Sequence, residues 1–529
     1  MKKLLLITFL LTSLFNLSAQ QLAKGYVFED INNNGQKEKK EKGIADVAVS
    51  NGTDVVLTDS EGKYTLPVGD DNIIFVIKPT GYKIPVNEYN FLQFYYIHKP
   101  KGSPSSFFYK GVEPTGELPK SIDFGLIRYN EPEVYSSFIF GDSQVYSEQE
   151  VEYFIKGIVN EAKERSGLSF GITLGDLVGD NLNLHLLYKE AIKQMGLPWY
   201  NVIGNHDMNY DAKEDIFSDE TFESNFGPAN YSFNYGKVHY IVLDDILYPN
   251  PVTGKGYLGG LREDQLKFVE NDLKFVQPDQ LIIISMHIPL FDRQDKDAFR
   301  ETDRQQLYSL LNSYPNVLVL SAHTHIQSHN FIGKEDGLDR EKPIHEYNVG
   351  TSCGDWYSGV LNAKGLPTST MRDGTPPQGY AIINIKGDKY TLDYKVAGQP
   401  DDYQISIYNP PKVVPYKGRW ITSGIYANFF MGSDNDNVEY RVDDGTWTKM
   451  TKIDDYDPAY YRYMQDWDYL DEVKPVRRPS NAQICRHLWR ASIPSNLPIG
   501  EHRIEVRATD MFGRVFTQNS TYKIKELPK

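Results

Sequence analysis

The rhythm of apolar and polar positions changes twice along the chain. From about residue 22 to 130 the apolar runs are short: YVFED, DVAVS, DVVLTD, KYTLPV and IIFVIKP, with turn-forming residues between them. That spacing predicts the strands of a small β-sandwich. From 131 to about 398 apolar strands alternate with helical stretches, the rhythm of an α/β fold. After YTLDYKVAG the β pattern returns through a Pro-rich joint, YNPPKVVPY. NVEYRVDDGTW and HRIEVRATDMFGRVF then read as hairpins around Asp-Gly and Phe-Gly turns. The pattern predicts three domains, 22–130, 131–398 and 399–529: an α/β (α+β) centre with an all-β domain at each end.

Inside the centre, SSFIF, FGITL, WYNVI, VHYIVL, LIIIS and NVLVL are the expected strands. Ser147 and Glu150 form a capping box for a helix whose apolar face is Val151, Phe154, Ile155, Ile158, Val159 and Ala162. Leu266, Val269, Leu273 and Val276 stripe a second helix.

The start, MKKLLLITFLLTSLFNLSAQ, has two lysines, an apolar run and small residues Ser18 and Ala19. It predicts a signal peptide over 1–19 and a periplasmic or secreted protein. The run is shorter than the about 20 residues that a membrane span needs, and no later segment predicts a transmembrane helix.

Composition narrows the partners. The net charge of -15 argues against a duplex nucleic acid. A small phosphorylated substrate stays open, because bound metal ions would supply positive charge locally. The 37 tyrosines suit β-rich domains and a glycan or cell-surface contact through them. Cys353 and Cys485 are the only cysteines, too few for a disulfide scaffold, and either a pair or two buried thiols fits them.

The candidate chemistry stands where the strands end. After SSFIF comes GDSQ, with Asp142 and Gln144; after FGITL comes GDLVGD, with Asp176; after WYNVI comes GNHD, with Asn205, His206 and Asp207. After LIIIS comes His287, and after NVLVL come His323 and His325. In open α/β sheets, sites form outside the carboxyl ends of strands. Three His, two Asp, an Asn and a Gln exceed the about four ligands of one tetrahedral zinc. They suit two metals that share a bridging carboxylate, and their mixed nitrogen and oxygen donors suit manganese, iron or zinc.

The series GDSQ, GDLVGD, GNHD, MH and HTH resembles the calcineurin-like metallophosphoesterase family, in its secreted branch with a β domain at each end. The resemblance covers about the middle half of the chain. It implies a β-sandwich core flanked by helices and holding two metal ions. Asp142, Gln144 and His325 would hold the first and Asp176 would bridge. Asn205, His287 and His323 would complete the second. His206 would be the catalytic acid, with Asp207 orienting it through the other ring nitrogen. A metal-bridging hydroxide would then attack phosphorus. Gln144 stands where many members carry His, which implies a weaker first site or a harder ion.

TSCGDWYSG and MRDGTPPQGY resemble loops of that branch and make Asp355, Trp356, Tyr357 and Asp373 candidate substrate-pocket residues. Asp30, Asn32, Asn34 and Glu41 in DINNNGQKEKKE fit a calcium-loop spacing. The β patterns around them favour a solvated Asn-rich turn. DDYDPAYYRYMQDWDYL is too irregular for a helix face and is expected to pack between domains. No Arg cluster stands near the motifs, although Arg262, Arg293 and Arg300 are in reach by sequence. His185, His239, His329 and His345 have no motif context. The favoured function is phosphomonoester hydrolysis. A phosphodiesterase or nucleotide pyrophosphatase with the same centre is the alternative, and a non-catalytic surface binding protein is the second.

Overall fold

A computed structural model describes residues 21–293, 295, 298–418 and 424–527. The signal peptide expected over 1–19 lies outside the described residues.

The first apolar runs pair as two four-stranded sheets. One runs Lys63–Val68, Gln21–Glu29, Phe124–Arg128, Tyr82–Lys83, and the other Val55–Leu57, Ala48–Ser50, Asn72–Val76, Tyr95–His98. Alternation decides which side chains enter the core: Tyr64, Leu66 and Val68 are buried while Lys63 and Thr65 face out. The loop that carries the calcium-like spacing closes on itself. Asp30 accepts from Asn34 and Gly35 N–H, Glu41 from Ile31 and Glu38 N–H, and the Asn32 and Asn34 side chains each cap an amide two residues on. This is the turn reading of that segment.

The middle of the chain builds two facing sheets. One has five strands in the order Trp199–Val202, Leu168–Leu174, Val134–Phe140, Gly379–Lys386, Lys389–Val396. The other has six: Tyr231–Tyr235, Val238–Val242, Leu281–Ser285, Val317–Ser321, Ile344–Asn348, Ser328–Ile332. Aromatic rings fill the space between them. Phe233 stacks on Tyr200 at 3.9 Å and Phe170 meets Tyr240 edge-on at 5.6 Å. Helices cover the outside, as where Phe154 stacks on Tyr188.

Two details differ from the pattern. Ser147 caps its helix by accepting from Glu150 N–H, but the Glu150 carboxylate reaches back to Tyr146 N–H, one residue earlier than a capping box requires. The helix Glu148–Phe154 then continues through a wider π turn, Ile155–Val159. Val276 is buried but lies beyond the end of its helix, Glu263–Leu273.

The third part pairs as Ile405–Tyr408, Gly424–Phe429, Ile484–Ser492, Thr451–Tyr456 and as Val413–Pro415, Val515–Lys525, Gly500–Thr509, Asn437–Val442, Thr448–Lys449. Against expectation, Pro458–Asp468 is a helix. Asp457 accepts from Ala459 and Tyr460 N–H, both at 2.9 Å, and proline suits the first helical position. Only Tyr460 is buried, so no apolar stripe announced the helix. Cys353 and Cys485 are both buried free thiols.

Buried charge joins the first part to the centre. The Lys99 ammonium meets Glu220 at 2.7 Å, Glu223 at 2.6 Å and Asp71 at 3.0 Å. Phe75 packs edge-on against Phe268.

Candidate metal centre

Every motif strand of the centre runs parallel to a neighbour: Leu168–Leu174 with both Val134–Phe140 and Trp199–Val202, and Leu281–Ser285 with Val317–Ser321. Their carboxyl ends therefore lie at one edge of each sheet, and the loops that follow meet between the sheets. Asp142, Gln144, Asp176, Asn205, His287 and His325 are all at most 1% exposed there.

The contacts are close. His287 Nε2 is 3.1 Å from Asn205 Oδ1, 3.2 Å from His323 Nδ1 and 3.3 Å from Asp176. Asp142 accepts from the His323 N–H and lies 3.9 Å from His287. Among the described residues, Asp176, His287 and His323 are the group whose ligand atoms lie within 4.8 Å of one another. The tautomers follow from outer partners. His287 Nδ1 faces the Leu174 carbonyl at 2.8 Å and His325 Nδ1 faces that of Gly354 at 3.2 Å. Each carbonyl takes an N–H, so Nε2 of each ring is the nitrogen that a metal would use.

The backbone is strained at these positions. Gln144, Asp176, Asp180, His323, His325, Trp356 and Tyr357 all have positive φ, between 34 and 68°. Left-handed backbone is uncommon outside glycine and gathers at functional sites. Gly204 is required for another reason: a Cβ there would fall 1.9 Å from the Asp176 backbone nitrogen.

Electrostatics mark a space short of positive charge. Burial pushes the Asp142 carboxyl up to about 8, with Asp176 adding to it against the pull of His287. Burial and the His287 charge push His323 down to about 3, and burial does the same to His325. Burial opposes the His206 imidazolium, but Asp176 and Asp180 outweigh it and lift His206 to about 9.

The partner of His206 is a correction. Its Nδ1 lies 2.6 Å from Asp180, whereas Asp207 makes no contact with it. Asp207 is fully buried and accepts from the N–H groups of Leu177, Val178 and Gly204, with His185 Nε2 at 3.3 Å. The short 3₁₀ turn Asn205–Asp207 sends the two neighbouring side chains in different directions. Asp180 closes the GDLVGD stretch, so its signal was present in the motif itself.

Of the four pocket candidates, only Trp356 stands against the centre, stacked on His325 at 3.8 Å. Asp355 turns inward to Ser358 Oγ and Ser480 N–H. Asp373 accepts from Gln327 and Thr375 N–H and meets His487. Tyr357 is buried and donates to the Ser143 carbonyl beneath GDSQ. Asp373 is thus satisfied inside the protein, whereas Asp355 keeps one buried oxygen, Oδ1, without a hydrogen bond. Arg262 and Arg300 are likewise occupied, by Asp215 and Asp303. The sequence reading missed the rings beside the centre: Tyr146 near His206 at 6.0 Å and Tyr257 near His323 at 5.9 Å. It also missed Arg372 and Arg477, both 5.7–5.8 Å from the Trp356 ring.

Comparison with known proteins gives three consecutive family matches. Residues 31–112 match the N-terminal part of calcineurin-like phosphoesterase, 139–327 calcineurin-like phosphoesterase itself, and 346–516 its C-terminal part. A probable glycerophosphodiester phosphodiesterase of Arcobacter nitrofigilis is 29% identical over 195 residues, 36% of this chain and 67% of that protein. Among solved structures, the purple acid phosphatase PPD1 of yellow lupin (Lupinus luteus) aligns with a TM-score of 0.36 at 14% identity, over 66% of this chain and 67% of that one. GAP50 of Plasmodium, titled as an anchor in the inner membrane complex, aligns at 0.31 and 17%, over 50% of this chain and 85% of that one.

Proposed function

The chain belongs to the calcineurin-like phosphoesterase family and is a metal-dependent hydrolase of phosphoric esters; from that premise we propose that two divalent ions are held between its sheets and that His206 protonates the leaving alcohol. Asp142, Gln144 and His325 would hold one ion, Asn205, His287 and His323 the other, with Asp176 shared.

The observation that carries the reading is a set of buried nitrogen and oxygen donor atoms turned into one space. Gln144 Oε1 is buried without a hydrogen bond. Two imidazole nitrogens, His287 Nε2 and His323 Nδ1, face each other at 3.2 Å. A divalent cation among these donors would take their lone pairs and offset the cost of burying them. The donor set therefore fits divalent ions, and imidazole with carboxylate and amide oxygen suits manganese, iron or zinc.

When bound, such ions polarise a phosphoryl oxygen and make a water nucleophilic near neutral pH. The side chains of this protein do the rest. Asp180 holds Nδ1 of His206, so Nε2 carries the transferable proton toward solvent. The His206 backbone N–H donates to Asp176 at 2.9 Å, which ties the acid to the centre. Cations on Asp176 would cancel its share of the lift on His206 and leave the Asp180 contact to favour the protonated ring. Tyr146 and Tyr257 wall the two sides and limit entry of water.

Phosphomonoesters are the favoured substrate class. If residues 1–19 are a cleaved leader, this chemistry takes place in the periplasm or outside the cell. The test is hydrolysis of 4-nitrophenyl phosphate and bis(4-nitrophenyl) phosphate by protein reloaded with manganese, iron or zinc, beside chelated protein. Hydrolysis that persists in the chelated protein, or is absent from every reloaded form, would remove the metal-dependent reading.

A further inference from the structure

The proposed hydrolysis leaves two guanidinium groups without a role. Most described arginines face carboxylates. Arg478 grips Asp468 through two nitrogens, each at 2.7 Å. Its neighbour Arg477 forms no ion pair among the described residues. The Arg477 guanidinium lies 5.7 Å from the Tyr146 ring and 5.7 Å from the Trp356 ring, and reaches the Trp356 carbonyl at 3.4 Å. Arg372 also forms no ion pair among the described residues. Its Nε is buried without a hydrogen bond, and its guanidinium lies 5.8 Å from the same Trp356 ring.

These groups are held in place. Gly359 N–H donates to the Arg477 carbonyl at 2.9 Å, and Ser480 N–H donates to Asp355 at 2.7 Å. The 477–480 segment is thereby pinned to the 355–359 turn, and that turn carries Trp356 flat on His325. A guanidinium stacked on a ring keeps its edge N–H groups free for an anion. Asp355 and Asp373 act on Arg372 without forming an ion pair with it, so two guanidiniums beside one centre keep edge N–H groups that an anionic ligand would take.

We propose that Arg372 and Arg477 form an anion-binding wall across Trp356, and that the substrate brings a second negative charge to it, beyond the one every phosphate ester carries. This rests on the hydrolytic reading above. The second charge has two sources: the phosphoryl group of a monoester, or an anionic group on the alcohol side of a diester. In either case the C-terminal part of the chain completes the site by supplying Arg477.

The test compares metal-loaded wild type, Arg477→Gln, Arg372→Lys and the double variant Arg372→Gln/Arg477→Gln. Arg477 is exposed, so its substitution leaves the melting temperature unchanged and keeps the test valid if the double variant folds poorly. Calorimetry measures binding of inorganic phosphate and of dimethyl phosphate at pH 8. Kinetics measure kcat and KM for 4-nitrophenyl phosphate, bis(4-nitrophenyl) phosphate and a 4-nitrophenyl diester with a carboxylate on its second alcohol.

A lost charge-assisted contact is worth about tenfold in affinity. For a monoester source, phosphate binding and monoester kcat/KM fall about tenfold in Arg477→Gln, chiefly through KM, while singly charged ligands hold. Arg372→Lys, which keeps the charge, retains most of the affinity. For an alcohol-side source, only the carboxylate diester falls. Equal loss on every ligand, or loss on none, overturns the wall. If phosphate binding falls as expected but no ester is hydrolysed by any form, the wall stands and the hydrolytic reading fails.

Discussion

His206 Nδ1 lies 2.6 Å from Asp180, and Asp207, the next residue in the chain, is turned away from it. The proposed acid and the carboxylate beside it thus come from two different strand-end loops. If His206 donates to the leaving oxygen, His206→Gln should lower kcat on phenyl phosphate by about 10²–10⁴. The loss should be smaller on 4-nitrophenyl phosphate, whose leaving group needs no proton. Asp180→Asn should show the same leaving-group dependence in milder form. A plot of log kcat against leaving-group pKa for the three proteins checks this, and parallel slopes would rule out the assignment.

Asp207→Asn should act on stability instead. An amide has one acceptor oxygen, and Asp207 accepts from three buried N–H groups. Each buried donor left without a partner costs about 1–3 kcal/mol. The variant should unfold at lower urea concentration, while the leaving-group slope of its folded form matches wild type.

Gln144→Ala removes a buried oxygen that has no hydrogen-bond partner among the described residues. Elemental analysis after dialysis should fall from about two metal equivalents per chain to about one. Activity should return with excess manganese. Wild-type stoichiometry in the variant would mean that Gln144 is not a ligand.

Lys99 serves Asp71, Glu220 and Glu223 at the junction of the first part and the centre, and it is 3% exposed. Lys99→Met leaves those carboxylates without a cation. Breaking a buried pair in this way costs about 3–5 kcal/mol. Urea denaturation should show the loss, and acidification toward pH 5 should recover part of it by protonating the stranded carboxyls.

His502 offers a pH test away from the centre. Its Nδ1 faces Asp443 and its Nε2 the Pro498 carbonyl, both at 2.7 Å, so only the doubly protonated ring satisfies both acceptors. Burial opposes the charge, but these two partners raise the His502 pKa. A raised imidazole contributes stability in full below its ordinary value of about 6.5 and loses it as pH rises through the raised one. His502→Gln should lower the melting temperature at pH 6 and have little effect at pH 9.

By itself the sequence determined the rhythm of strands and helices and the order of ligands behind them. That was legible because a parallel sheet puts every strand's carboxyl end at one edge, so a polar residue just after an apolar run already has its place. GNHD was readable for the same reason, and its glycine fits where the Asp176 backbone leaves no room for a Cβ. The helix Pro458–Asp468 was not legible, because a single buried tyrosine makes no periodic stripe.

Only the tertiary structure decided where side chains point. Asp180 and Asp207 are both motif carboxylates, and one 3₁₀ turn sent the second inward. Asp355 and Asp373 read as pocket residues in sequence, but local amides and His487 claimed them. Arg477 stands over 100 residues beyond the last motif, and two hydrogen bonds to the 355–359 turn bring it beside Trp356. Such contacts depend on the sign of a few φ angles and on packing between distant segments, and neither leaves a period in the sequence.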